Sequence, residues 1–261
     1  MSRTKTFYDL RDALALPGCA ICRLAHRAAD KYIDALLWEL VNDPQARRDI
    51  RRAQGFCHAH SWRFVHGGPT LGATIIAHDL LRHAARAVVA GLPDRAPRSL
   101  ADRVLGRLRP ADAGAALGDD LARRLLPEAG CPACEQARIT QDIALDTLLE
   151  QLDGADGLLV PLQASDGLCL VHLRVLAARS REAVALGRLL AAQAAIWERL
   201  ADQLAECIRK CDYRFAGEDR GEESGACLRA MAALAGSPPD DTDRETGPVV
   251  FPFRGRGRGV G

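Results

Sequence analysis

Two sets of cysteine and histidine, matched in spacing, constrain this chain more than any other feature. Two residues separate Cys19 from Cys22 and two separate Cys57 from His60, with 34 residues between Cys22 and Cys57. Cys131, Cys134, Cys169 and His172 repeat those intervals, so each member moves by 112 positions (131 − 19, 172 − 60). Other residues obey the same offset: Gly18 and Gly130, Ala25 and Ala137, Asp30 and Asp142, Asp34 and Asp146. So do Leu36 and Leu148, Leu37 and Leu149, Leu40 and Leu152, and Gly55 and Gly167. A duplicated unit accounts for so many coincidences at one offset.

The chemistry follows from the residue types. Two thiolates two residues apart can face one ion from a turn that leads into a helix. A cysteine and a histidine three apart on a first helical turn share a face. Together they make the four ligands of a closed Cys3His zinc site, which leaves no position for substrate and reads as structural. Gly55 and Gly167 allow the turn that returns the second pair to the first. His58 rivals His60, but its counterpart at the offset is Leu170, which favours His60. The ligands are therefore Cys19, Cys22, Cys57 and His60, with Cys131, Cys134, Cys169 and His172, and zinc is expected as two ions per chain. Sites within each half are preferred to exchange across the halves, because the shorter loop costs less entropy to close.

Other readings compete. A free cysteine is also a good core residue, though two matched sets of four favour ligation. Iron–sulfur clusters also take thiolates and occasional histidine, and the residues alone leave zinc and iron–sulfur open. Cys131-Pro132-Ala133-Cys134 has the form of a thiol redox loop but follows no strand, and neither cysteine pair precedes the histidine of haem attachment. Cys207, Cys211 and Cys227 are assigned to packing, the first two on an apolar helical stripe. His78, Asp79 and His83, like His26 and His66, are read as surface groups.

Alanine, leucine and arginine abound while aromatics are 5%, which favours helix. Helices are predicted over Thr6–Leu16, from Ile21 to Leu40 on a stripe through Leu24, Ala28, Tyr32 and Leu36, and from Asp43-Pro44 to Ala53. Further helices are expected over Thr70–Val89, Leu100–Leu126 with breaks, Pro132–Leu152, a long Leu170–Tyr213 and Glu222–Leu234. No segment alternates at period two, so the fold class is all-α, built from two pseudo-repeats each with one Cys3His metal site. The expected divisions are a first repeat at 1–92, a linker and helical segment at 93–126, a second repeat at 127–236 and a disordered Arg/Gly tail at 237–261. No apolar window is long enough to span a bilayer, and no secretory signal stands at the N-terminus. A cytoplasmic location follows as the expectation, where nine cysteines read as ligands or thiols rather than disulfides.

The motifs Cys19-Ala20-Ile21-Cys22, Gly55-Phe56-Cys57-His58-Ala59-His60, Cys131-Pro132-Ala133-Cys134 and Gly167-Leu168-Cys169-Leu170-Val171-His172 stand in an order known from elsewhere. With Lys210-Cys211-Asp212-Tyr213-Arg214-Phe215 and Ala235-Gly236, they give a chain that resembles an uncharacterised prokaryotic family, a domain of unknown function, over about Thr6 to Gly236. The resemblance implies a helical protein with paired cysteine motifs and supplies no catalytic residues.

No phosphate loop, nucleophile elbow or His-Glu-x-x-His helix occurs, so an enzyme is not suggested. The expected function is a zinc-stabilised, non-catalytic accessory or interaction protein whose partner is another protein. An iron–sulfur or thiol redox accessory protein is the alternative. Nucleic-acid binding, through the zinc modules and the tail at Arg254, Arg256 and Arg258, is a second one, and a net charge of +1 argues against it.

Overall fold

The computed structural model describes residues 3–66, 70–90, 113–154, 156–215, 218–219 and 221–239, without the side chains of 66 and 113–117. The first part of the linker and helical segment expected at 93–126, up to residue 112, and the arginine-glycine run lie outside the described residues. Among these residues the chain forms eleven α-helices, two short 3-10 turns and no strand. The helices are α1 (Lys5–Leu14), α2 (Ala20–Trp38), α3 (Pro44–Arg52), α4 (His58–His66), α5 (Leu71–Ala90), α6 (Ala113–Arg124), α7 (Pro132–Glu150), α8 (Leu159–Ala164), α9 (Leu170–Arg179), α10 (Ala183–Lys210) and α11 (Ala226–Ala235). The 112-residue offset extends to their starts: α2 and α7 (132 − 20), α4 and α9 (170 − 58), α5 and α10 (183 − 71).

Local chemistry sets several of these ends. Asp43 caps α3 by accepting from the Ala46 N–H at 2.7 Å, with Pro44 in the first turn. Gly55 and Gly167 carry φ of +102° and +73°, the left-handed turns expected before the second cysteine of each set. The expected single helix over Leu170–Tyr213 is two helices. Ser180 and Glu182 are extended (ψ 131° and 106°), and the chain bends between α9 and α10. Neither glycine nor proline marks that break. The apolar stripe of α10 is buried at Leu189, Ile196 and Leu200, but Ile208 is 74% exposed.

Helices α2 and α7 make the largest helix–helix contact. They run antiparallel, because Ile21 near the start of α2 shares a core with Leu145 and Leu148 late in α7, while Ala133 at the start of α7 packs with Ala29 and Ile33. Each core is therefore built from both halves of the chain. The larger joins Phe7 and Leu10 of α1 and Ile21 and Leu24 of α2 to Leu148, Leu162, Leu176 and Leu189 of the second half. The smaller joins Leu36, Ile50, Phe64 and Ile76 of the first half to Ala133. A third cluster seats α11 on Leu200 through Ala226 and Ala230.

Candidate metal centres

Four helix starts converge in two places. Cys19, Cys131 and Cys169 are the N-cap residues of α2, α7 and α9, and the Cys57 carbonyl accepts from Ser61 N–H at the start of α4. Helix N-termini carry partial positive charge, which favours thiolate over thiol. The N–H of His172 donates to Cys169 Sγ at 3.5 Å.

All eight predicted residues fall into two groups of four, Cys19, Cys22, Cys169 and His172, and Cys57, His60, Cys131 and Cys134. The pairing expected within each half is corrected: the halves exchange pairs. Helix α4 docks on α2 through Arg63 and Asp30, whose two contacts measure 2.7 and 2.6 Å. Asp30 lies eight residues beyond Cys22, about 12 Å along a helix, so Cys57 and His60 sit too far along α2 to meet their own Cys19 and Cys22. The antiparallel α7 brings Cys131 and Cys134 to them instead. Two backbone contacts mirror the exchange: Gly18 N–H reaches Asp166 Oδ2 at 2.7 Å, and Glu128 N–H reaches Arg52 O at 2.8 Å.

The loop argument fails on magnitude. Joining Cys22 to Cys169, 147 positions away, rather than to Cys57, 35 away (57 − 22), costs only about 1.3 kcal/mol of extra closure entropy. Joining Cys57 to Cys134, 77 positions away, rather than to Cys22 costs about 0.7 kcal/mol. Burying one leucine side chain is worth about 1.5–3 kcal/mol, and the α2–α7 contact buries several.

The distances fit a tetrahedral ion. Zinc with Zn–S of about 2.3 Å and Zn–N of about 2.05 Å sets S···S near 3.8 Å and S···N near 3.5 Å. In the first cage Cys22 Sγ and Cys169 Sγ are 3.8 Å apart, and His172 Nδ1 lies 3.5, 3.4 and 3.1 Å from Cys19, Cys22 and Cys169. In the second, Cys57 and Cys134 are 3.7 Å apart, and His60 Nδ1 lies 3.3, 3.6 and 3.3 Å from Cys57, Cys131 and Cys134. His172 Nε2 is fixed by Gln141 Oε1 at 3.0 Å, the outer contact that sets a ligating imidazole's tautomer.

The electrostatics ask for a cation. Contact with Cys169 and Cys19, and then burial, pushes the Cys22 thiol far up, while contacts with Cys19 and Cys22 push Cys169 far down. Adjacent sulfurs cannot all ionise in a buried space, and a divalent ion removes that conflict. Burial lowers His172, but the Cys169 and Cys19 sulfurs outweigh it and raise the imidazole to about 9. Burial raises Cys134 to about 12, assisted by Cys57. Burial holds His60 below its ordinary value, which keeps Nδ1 free to ligate near neutral pH.

The remaining candidates stay out of the cages. His58 is exposed beside Trp62. Asp79 pairs with Arg51 at 2.7 Å and Arg47 at 3.3 Å, joining α5 to α3, while His78 and His83 are exposed. The packing role expected for Cys211 and Cys227 is corrected, since both are exposed and Cys207 is only half-buried. None of the three joins a metal-ligating group among the described residues. His26 is a half-buried, satisfied group, its Nε2 donating to the Ser237 carbonyl at 3.1 Å. Sequence reasoning missed Gln141, whose counterpart at the offset is Ala29, and Ser237, which it placed in the tail.

No solved structure matches the chain. An "uncharacterized 23.9 kDa protein in xynA 3'region" of Caldicellulosiruptor sp. (strain Rt8B.4) is 42% identical over 64 residues, which cover 24% of this chain and 31% of that protein. The chain thus spans about a third of that relative's length. A family of unknown function, DUF6062, matches residues 6–241, nearly the whole sequence, and the chain belongs to that family.

Proposed function

We propose that the protein is a zinc-stabilised helical scaffold that binds two structural zinc ions and acts by docking another protein, without catalysis, in the reducing cytoplasm. One observation carries the reading: each cage presents four sulfur and nitrogen donors at tetrahedral edge lengths, which leaves no coordination position for a substrate. Cys19, Cys22, Cys169 and His172 would hold one ion and Cys57, His60, Cys131 and Cys134 the other. An ion so bound supplies folding free energy, on the order of 10–16 kcal/mol for structural zinc in small domains at pH 7. A whole domain is commonly stable by about 5–15 kcal/mol. Exposed apolar side chains, among them Trp38, Trp62 and Leu71, support an interaction role. That no described helix is long and apolar enough to cross a membrane fits the expected location.

Elemental analysis with an absorption spectrum, on protein purified without oxygen, tests the metal. Two zinc ions per chain and a colourless solution are expected. A brown protein absorbing near 400 nm would establish the iron–sulfur alternative, since zinc is d10. Affinity capture with the metal-loaded protein should recover a protein partner, whereas retention of RNA with steep salt dependence would point to nucleic acid.

A further inference from the structure

The two cages share ligands and spacing but not access. Cys19, Cys22 and Cys169 are 3%, 5% and 0% exposed, whereas Cys134 is exposed. The strap that follows α11 accounts for much of the difference. Gly236, at φ +98°, turns the chain onto the first cage. The Ser237 N–H then donates to Cys22 Sγ at 3.3 Å, and Ser237 Oγ accepts from Cys19 N–H at 2.8 Å. No described segment makes the matching contacts over Cys131 and Cys134. A cavity of about 490 Å3 runs between the two cages and is lined by Cys22 and Cys169 as well as by Cys57 and Cys134. Of these four sulfurs only that of Cys134 belongs to an exposed residue.

Resting on the two-ion reading, we propose that Cys134 and Cys57 are an oxidisable thiol pair, a modification site for hydrogen peroxide, and that their oxidation releases the ion of the surface cage while the strapped cage keeps its own. Cys134, deprotonated as a ligand of the bound ion, attacks one peroxide oxygen through its sulfur and the O–O bond breaks. Hydroxide leaves, takes a proton and becomes water, and Cys134 is left as a sulfenic acid. The Cys57 thiolate, 3.7 Å away, attacks that sulfur. An S–S bond of about 2.05 Å forms, the S–O bond breaks, and a second hydroxide is protonated to water. Two thiolates, one peroxide and two protons thus give one disulfide and two waters, with two electrons passing from sulfur to oxygen. Cys131 and His60 are then too few to retain the ion.

The test uses the full metal-loaded chain, its metal counted first, with peroxide added in the presence of a chromophoric zinc chelator. One of the two equivalents should be lost in an early phase, with a Cys57–Cys134 disulfide in the peptide map and Cys19, Cys22 and Cys169 still reduced. Loss of both equivalents in one phase, or early oxidation of Cys19, Cys22 or Cys169, would overturn the proposal. Gly236→Val puts a β-branched side chain on a residue at φ +98°, a backbone conformation that such side chains rarely adopt, which shifts the strap. With helix content unchanged by circular dichroism, that variant should lose both equivalents together. Persistent two-phase loss would remove the strap from the explanation. A starting count well below two ions contradicts the two-ion reading itself, whatever peroxide then does.

Discussion

Paired serine substitutions decide which cysteines share an ion, because the two possible pairings predict opposite metal counts. Cys57 and Cys131 lie in one cage and Cys19 in the other. Cys57→Ser with Cys131→Ser therefore damages one cage twice, and the chain should fall from two ions to one. Cys57→Ser with Cys19→Ser damages both cages, and the chain should fall from two ions to none. Pairing within each half would reverse the results, since Cys19 and Cys57 would then share a site. The stability readings should follow the counts. The first double variant keeps the buried cage, embedded among Leu10, Ile21 and Leu148, and should keep more helix than the second. The second loses both ions, each worth on the order of 10 kcal/mol or more. Together they exceed the roughly 5–15 kcal/mol by which a whole domain is commonly stable, so it should be recovered largely unfolded. Native mass spectrometry gives the count and circular dichroism the fold. A Cys57→Ser/Cys131→Ser protein without metal, beside a Cys19→Ser/Cys57→Ser protein that keeps one ion, would refute the exchanged arrangement.

Two further substitutions probe a contact beside the buried cage and an ion pair at the end of α10. Gln141→Leu removes the acceptor that holds His172 Nε2 and should weaken metal binding at the buried cage by about 10–100-fold. Chelator competition would read this as one weakened ion beside one unchanged, and equal weakening of both would contradict it. The second concerns Glu223, which Lys210 at 2.8 Å and the Gly221 N–H push down to about 2. A carboxylate depressed in the folded state stabilises fully above its ordinary value of about 4.3 and loses that contribution as pH falls through the lowered value. The Tm advantage of the native chain over Glu223→Gln should hold above about pH 5 and vanish near pH 2, and an advantage that grows on acidification would refute the assignment.

The sequence carried the candidate ligands more clearly than their grouping. Spacing alone singled out the eight side chains that the structure gathers into two groups of four, because thiolate and imidazole at matched intervals are a local signal repeated twice. Which pair meets which is set by the antiparallel crossing of α2 and α7, and no spacing encodes a crossing. The break at Ser180–Glu182 was hidden for a similar reason: apolar periodicity runs from Leu170 through Leu200 with no glycine or proline at the break itself, and tertiary packing bends the chain there. Ser237 was lost to composition, since it opens a polar, proline-rich stretch. Its role depends on two neighbours more than 200 positions away, Cys19 and Cys22. The asymmetry of the cages was equally invisible, because the strap belongs to neither repeat.

The exchange makes a last prediction about the first half by itself. Residues 1–92 hold one cysteine pair at the start of α2 and one Cys–His pair at the start of α4, which docks on α2 at Asp30, about 12 Å beyond Cys22 along the helix. A monomer of this fragment cannot close a cage. Two copies can, if each contributes Cys19 and Cys22 to the other's Cys57 and His60, as α7 and α9 now do. Metal should therefore drive the fragment from an extended, poorly helical monomer to a dimer that binds two ions, at a midpoint that depends on protein concentration. The core supports the same outcome, because Ile33 and Leu36 pack against the start of the facing long helix at Ala133, where the dimer would present Ile21 (133 − 112). Sedimentation with and without zinc separates the possibilities. A folded monomer holding one ion would show that a half can close its own site, and the crossing of α2 and α7 would no longer be the reason that the pairs exchange.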